Sequence, residues 1–138
     1  MKTLDGKMKT IAHIRKLIFA FGVVAFTPVT AVHADTACNP DEGERLFFKC
    51  AMCHSAEEGM PHGVGPNLFG VFEHAIADAP DFHYSDALAD LQGIWDEEQL
   101  DAFLLKPREF ARGTTMGFAG LANPDDRAQV ICYLKDRR

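Results

Sequence analysis

The chain has 138 residues, of which 25% are charged and 47% are hydrophobic. This length allows one small domain, and the composition excludes both a disordered polar chain and a bundle of membrane-spanning helices. The 14 basic and 20 acidic residues give a net charge of −6, whereas nucleic-acid-binding proteins usually have the opposite balance. The four cysteines include one close pair, which is too few for a disulfide-rich mini-protein.

The N-terminal segment has the pattern of an export signal. Several basic residues precede an apolar run at residues 17–26, and residues 32–34 (Val-His-Ala) resemble a cleavage site. A membrane-spanning helix needs roughly 20 apolar residues, so this short run favours a cleaved signal over an uncleaved anchor. We therefore predict a signal peptide over residues 1–34, a single domain over residues 35–138, and a periplasmic location.

Removal of the signal would change the charge of the protein. The signal holds five basic residues and one acid, so residues 35–138 keep nine basic and 19 acidic residues, a net charge of −10. A chain of 104 residues buries only a modest share of its surface, and a covalent staple or a cofactor would help it to fold. In an exported protein, thiols seldom remain reduced.

The remaining sequence alternates between helix signals and loops, which predicts a small all-α protein. Asn39-Pro40 starts a helix that we expect to reach about Cys53, with Glu42 completing a capping box. Residues 55–83 are rich in glycine and proline and predict a loop. Further helices are predicted at residues 85–91, where Ser85 would be the cap, at residues 96–106, where Pro107 would end the helix, and at residues 123–134. Loops this long are uncommon in a small domain unless something fills the middle, which favours a bound planar cofactor.

Residues 50–54 (Cys-Ala-Met-Cys-His) form the C-x-x-C-H pattern at which c-type haem is attached. Cys50 and Cys53 lie on one face at a helix end, where both thiols could form thioethers with the vinyl groups of a porphyrin. His54 would then bind the iron. A thioredoxin-like site would need a βαβ context, and a zinc site would need further ligands at paired spacing, which Cys38 and Cys132 do not provide.

The second axial ligand of the iron should be a methionine, a histidine or absent. The candidates are Met52, Met60, Met116, His62, His74 and His83. Met52 lies inside the attachment motif, and Met60 is too close to it to cross easily to the opposite side. Met116 stands in a glycine-flanked loop, residues 113–120, whereas a core methionine usually falls on a helical stripe. This position favours Met116.

Residues 41–135 resemble the class I cytochromes c, the family of mitochondrial cytochrome c and bacterial cytochrome c2. The resemblance is carried by residues 43–47, 50–54, 65–68, 82–85, 93–95, 103–104, 113–116, 118–120 and 131–134. It implies an all-α fold in which short helices and loops wrap around one covalently attached haem c. It also implies that Cys50 and Cys53 form the thioethers and that His54 and Met116 are the axial ligands of the iron.

The same resemblance assigns roles around the haem. Pro66 would accept a hydrogen bond from the proximal imidazole, which sets the orientation of the ring. Tyr84 and Trp95 would hydrogen-bond one haem propionate, with a plain aromatic core as the alternative, and Thr114 would lie near the other propionate. His62 would bond across a loop and would not bind the iron.

The sequence departs from the family pattern at several positions, including Leu88 in place of an asparagine, Arg112 in place of a proline, and two side chains near the haem. His74 stands where the family often has an arginine beside the buried propionate, and Phe103 stands where a tyrosine usually neighbours the distal methionine. A histidine changes its charge near neutral pH, unlike an arginine. The absence of the tyrosine removes a hydrogen bond to the methionine sulfur, which could loosen its bond to iron.

In the resembling fold the first and last helices cross, at residues that match Gly43, Phe47 and Tyr133. This crossing brings the start of one helix near the other and implies a disulfide between Cys38 and Cys132. The alternative is two separate thiols.

The function implied by the resemblance is that of a soluble, monomeric electron carrier with one haem, not an enzyme. The alternatives are a haem enzyme of peroxidase type with a labile Met116, and a non-haem metal or redox module that uses the motif cysteines. Residues 51–104 contain 11 acids and no Lys or Arg. In the resembling fold, Lys49, Arg108 and Arg112 would fall around the exposed haem edge, and we expect redox partners to dock there. We expect no nucleic-acid binding and no membrane insertion after signal cleavage.

Overall fold

The computed structural model describes residues 37–138. Within this range the helices are α1 (Pro40–Ala51), α2 (Asp86–Ala89), α3 (Glu97–Leu105), α4 (Pro107–Phe110) and α5 (Pro124–Asp136). The described residues form no β-strand beyond one isolated antiparallel bridge, between Ala75 and Ile94. None of the helices in this range is long and apolar enough to cross a bilayer. The predicted all-α fold is confirmed, and the predicted signal at residues 1–34 lies outside the described residues.

Helices α1, α3 and α5 begin at the polar caps that the sequence predicts. In each case the cap side chain accepts a hydrogen bond from a backbone N–H of the first turn, which would otherwise have no partner. The pairs are Asn39 with Glu42, Asp96 with Gln99, and Asn123 with Asp125. Prolines occupy the first position of α1 and α5, where the missing N–H costs no hydrogen bond.

The prediction for α1 is wrong in two details. The helix ends at Ala51 and does not reach Cys53, whose backbone N–H donates to the Cys50 carbonyl only three positions back, at 3.0 Å, as in a tight turn. The capping box is also incomplete. The Asn39 N–H donates to the side-chain oxygen of Gln129 at 2.8 Å, and the Glu42 carboxylate pairs with Arg45.

The shorter helices also differ from the prediction. Helix α2 ends at Ala89 instead of Leu91, and the side chain of Ser85 makes no cap hydrogen bond. Pro107 does follow the end of α3, but it also begins α4, which the sequence patterns did not predict. Its fixed φ angle suits the first position of a helix, whereas its missing N–H and its ring prevent it from continuing the helix before it.

Helices α1 and α5 cross in close contact at Gly43. A Cβ atom at Gly43 would lie 2.1 Å from the Gln129 carbonyl oxygen and 2.6 Å from the Tyr133 Cβ, so only glycine permits this approach. Beside the crossing, the ring centroids of Phe47 and Tyr133 are 5.0 Å apart. The crossing therefore brings both ends of the described chain together. It involves Gly43, Phe47 and Tyr133, the residues at which the resemblance places the crossing.

A disulfide joins Cys38, just before α1, to Cys132 in α5, with 5.5 Å between the two Cα atoms. The linked residues are 94 positions apart in sequence. In the chain-entropy model, a cross-link that closes so long a loop stabilises the fold by about 4 kcal/mol. Of the four cysteines this leaves Cys50 and Cys53 as free thiols.

Candidate haem-binding site

A cavity of about 780 Å³ opens between α1, α3, α5 and the long loops. Cofactor sites commonly have volumes of roughly 300–1,000 Å³. Its walls are mainly apolar, with contributions from Phe47, Leu100, Leu104 and Val130. The cavity brings together all eight residues that the sequence assigns to the haem: Cys50, Cys53, His54, Pro66, Tyr84, Trp95, Thr114 and Met116.

One tight turn after α1 groups the two thiols with the imidazole. The backbone N–H groups of Cys53 and His54 both donate to the Cys50 carbonyl, each at 3.0 Å. Cys50 is half-buried, and burial raises the pKa of its thiol to about 11 although Lys49 acts in the opposite direction. Cys53 is exposed at the mouth of the same cavity.

The imidazole of His54 is held by the segment that contains Gly65 and Pro66. Its Nδ1 atom lies 2.8 Å from the Pro66 carbonyl oxygen, which can only accept, so Nδ1 carries the proton and Nε2 keeps a free lone pair. A Cβ atom on Gly65 would lie 2.2 Å from the His54 Cε1. Burial lowers the pKa of His54 more than the Pro66 hydrogen bond raises it, which favours the neutral, metal-binding form.

Met116 lies in a loop bounded by glycines with positive φ angles. Gly113 has φ +105° and Gly120 has φ +101°, conformations that side chains with a Cβ rarely adopt. The Met116 N–H donates to the Thr114 hydroxyl at 3.2 Å, and the Thr114 N–H donates to the Ala111 carbonyl at 3.0 Å. Met116 is half-buried and lines the cavity, so this loop presents a thioether to the same space as the imidazole.

Polar side chains line another part of the cavity wall. The Tyr84 hydroxyl accepts from the Ala79 N–H at 3.3 Å, and burial raises the pKa of this hydroxyl. The Ser85 hydroxyl oxygen is buried and has no hydrogen-bond partner in residues 37–138. An unpaired buried hydroxyl is costly.

The sequence predicts Ser85 as a helix cap, whereas its hydroxyl oxygen makes no hydrogen bond in the described part of the chain. Trp95 is buried against Phe103, at 5.0 Å between ring centroids, and it also lines the cavity.

His62 has both ring nitrogens occupied by the chain. The Asn67 N–H donates to its Nδ1 at 2.9 Å, and its Nε2 lies 2.7 Å from the Pro80 carbonyl oxygen. These bonds tie the loop of residues 62–67 to the segment that contains Pro80. They leave no free nitrogen for an iron ion, in agreement with the structural role that the resemblance implies.

Comparison with known proteins agrees with this site. The family model described as cytochrome c matches residues 40–137. The chain belongs to the cytochrome c family. Membership of this family implies a covalently bound c-type haem, and the predicted cofactor is thereby confirmed. The cavity fits such a group, with two thiols, an imidazole and a thioether on its mainly apolar walls.

The relatives of this cytochrome c come from bacteria and from plants and algae. A cytochrome c homolog of Rickettsia typhi is 40% identical over 114 residues, which cover 83% of this chain and 65% of the relative. A cytochrome c of Ulva intestinalis is 40% identical over 99 residues, covering 71% of this chain and 89% of the relative. For Chlamydomonas reinhardtii cytochrome c the identity is 45% over 94 residues, 67% of this chain and 84% of the relative. The chain thus spans slightly less than two thirds of the length of the Rickettsia relative.

Proposed function

We propose that this protein is a periplasmic electron carrier with one haem c and His/Met ligation of the iron. The observation that carries the proposal is the cavity that unites the His54 imidazole and the Met116 thioether with the thiols of Cys50 and Cys53. Family membership supports a haem electron-carrier role. The export-signal pattern of residues 1–34 supports the periplasmic location.

A bound haem c would supply one-electron oxidation and reduction at its iron. Cys50 and Cys53 would hold it through thioethers, and the bond from His54 Nδ1 to Pro66 would fix the imidazole and raise its basicity. The thioether of Met116 would be a soft ligand that favours ferrous iron and so would raise the reduction potential. The apolar walls would keep water from the iron, which would help to favour ferrous over ferric iron.

The docking of redox partners is proposed at the edge of the cavity near Lys49, Arg108 and Arg112. Within residues 37–138, Arg108 and Arg112 are the only two of the nine Lys and Arg side chains without a carboxylate within 4.0 Å. Lys49 lines the cavity but pairs with Asp126 at 3.8 Å. Arg108 in α4 and Arg112, directly before Gly113, are both exposed, so they can attract carboxylates of a partner at contact. We propose that the carrier acts as a monomer.

One observation favours a second candidate function, a haem enzyme of peroxidase type. Phe103 is buried in the wall of the cavity and has no hydroxyl that could donate to the Met116 sulfur. Without such a bond the methionine would leave the iron more readily and open a coordination position.

A spectrum and a redox titration of the purified holoprotein test the proposal. An electron carrier should show a single one-electron step, low-spin spectra in both oxidation states, and the weak long-wavelength band of an iron–sulfur(Met) bond. It should also exchange electrons with periplasmic redox proteins and turn over little peroxide. A high-spin ferric spectrum together with rapid peroxide turnover would favour the enzyme instead.

A further inference from the structure

We infer that Arg127 and Asp101 form a clamp that positions the Met116 loop. The inference rests on the proposed ligation by Met116. Arg127 lies in α5 and is only 7% exposed, which is rare for a charged side chain unless it is paired. Its Nε donates to Asp101 Oδ1 at 2.6 Å, and its Nη2 donates to Oδ2 at 3.2 Å. This two-point pairing fixes the plane of the guanidinium.

The remaining terminal nitrogen of Arg127 holds the end of the methionine loop. Its Nη1 donates to the carbonyl oxygens of Leu121 and Ala122, at 2.9 Å and 3.1 Å. Both carbonyls belong to the stretch between Met116 and the start of α5. The guanidinium therefore links the carboxylate on α3 to the backbone that follows the proposed ligand.

The same end of the loop also contacts the last turn of α3. The Leu121 N–H donates to the Leu104 carbonyl at 2.8 Å. A Cβ atom on Gly120 would lie only 2.1 Å from the Leu105 carbonyl oxygen, so the loop backbone passes directly over the end of the helix. By contrast, residues 117–119 make no backbone hydrogen bond within the described part of the chain. The hydrogen bonds at Leu121 and Ala122 are thus the nearest backbone restraints on the C-terminal side of Met116, and the Phe118 side chain between them packs against the core.

Asp101 is the part of the clamp that can be changed with least disturbance. Its side chain is 42% exposed, whereas that of Arg127 is 8% exposed. Removal of the carboxylate charge leaves a buried cation without compensation, and such a cation tends to move toward water. The Nη1 atom of Arg127 would then release the carbonyls of Leu121 and Ala122. Within residues 37–138, the Asp101 carboxylate bonds Arg127 and makes no direct hydrogen bond to the loop. Arg127 and Asp101 are positioning residues in this sense.

The test uses Asp101→Asn in the ferric holoprotein, with added imidazole as a competing ligand. Asparagine keeps the shape and one acceptor oxygen but removes the charge. We expect the rate at which imidazole displaces the methionine to rise on the order of tenfold, the effect of losing a hydrogen bond to a charged group. Glu98→Gln is the matched control, since Glu98 is an exposed acid on the same helix with no ion pair in the described part of the chain. The rate of methionine displacement in this control should stay unchanged.

A second variant and a second readout separate positioning from general stability. Arg127→Lys keeps the charge but cannot bond the carboxylate and both carbonyls at once, so it should accelerate imidazole binding as well. The free energy of unfolding is measured for every variant. The clamp is overturned if imidazole displaces the methionine at the wild-type rate in both variants. It is also overturned if the variants lower the free energy of unfolding but leave that displacement rate unchanged. If Met116→Leu leaves the spectrum unchanged, the proposed ligation has failed rather than the clamp alone.

Discussion

The Nδ1 atom of His54 donates to the carbonyl oxygen of Pro66 at 2.8 Å, across 12 positions of sequence. This bond selects the tautomer in which Nε2 is free to bind a metal. Gly65, directly before Pro66, contacts the same ring so closely that no side chain fits between them. The loop therefore holds the imidazole from two sides.

Gly65→Ala should displace the His54 ring. Its Cβ atom would come within 2.2 Å of the ring, which is far below van der Waals contact. We expect a loss of about 1–3 kcal/mol in the free energy of unfolding, typical of an overpacked site, together with a shifted reduction potential. Gly117→Ala is the control, because a Cβ atom there meets nothing within 4 Å. Equal effects of the two variants would contradict the close contact.

Met116→Leu should keep the covalent haem, because both thiols remain, but lose the iron–sulfur absorption band. The reduction potential should fall by a sizeable fraction of the ~0.8 V range that axial ligands span in haem proteins. Met60→Leu, at a half-exposed methionine of the same cavity, should change neither property. An unchanged spectrum in Met116→Leu would remove this residue from the iron.

The disulfide can be tested by counting thiols in the unfolded, unreduced holoprotein. With Cys38 and Cys132 bonded and the motif cysteines in thioethers, no thiol should react. Replacing both Cys38 and Cys132 by serine should lower the free energy of unfolding by about 4 kcal/mol in the chain-entropy model. Two reactive thiols in the wild-type protein would exclude the bond.

Arg108→Glu combined with Arg112→Glu should slow electron transfer to a partner with an acidic docking surface. The change should also alter the salt dependence of the rate and leave the spectrum intact, because neither side chain lines the haem cavity. A control with the same change in net charge is Arg45→Glu combined with Arg138→Glu, at two exposed residues whose ion pairs contribute little. If the electron-transfer rate of each of the three proteins is the same at low salt as at high salt, electrostatic docking at this edge is excluded.

Tyr84 should ionise at higher pH than an ordinary tyrosine. Burial disfavours the phenolate and raises the pKa of this hydroxyl, the nearby Asp78 acts in the same direction, and the hydrogen bond from Ala79 opposes both. The unfolded chain therefore loses this proton first as the pH rises. The resulting contribution to stability is fully present below about pH 10, the ordinary tyrosine pKa, and is lost as the pH rises through the folded-state pKa. Phenolate absorbance in wild type and Tyr84→Phe measures this titration. A component with an ordinary pKa that disappears in the variant would contradict the prediction.

The sequence alone was sufficient for features that depend on neighbouring positions. The attachment motif spans five residues, and the caps at Asn39, Asp96 and Asn123 act on the N–H groups two or three positions later. Such interactions are short-range, so their residue types and spacing predict them. The loop around Met116 was likewise evident from the sequence, because it is flanked by glycines. Gly113 and Gly120 at its two ends indeed have positive φ angles.

Tertiary structure alone decided the features that depend on contacts between distant segments. The turn that follows α1 is held by a hydrogen bond from the Gly65 N–H, 12 positions beyond Cys53, to the Cys53 carbonyl, and no local pattern encodes that bond. Ser85 lost its predicted capping role for the same kind of reason, since its hydroxyl is buried in the wall of the cavity. The link from Asp101 through Arg127 to the methionine loop joins segments 26 positions apart. Periodicity and propensity describe each segment by itself, whereas these contacts exist only once the segments have packed around one shared cavity.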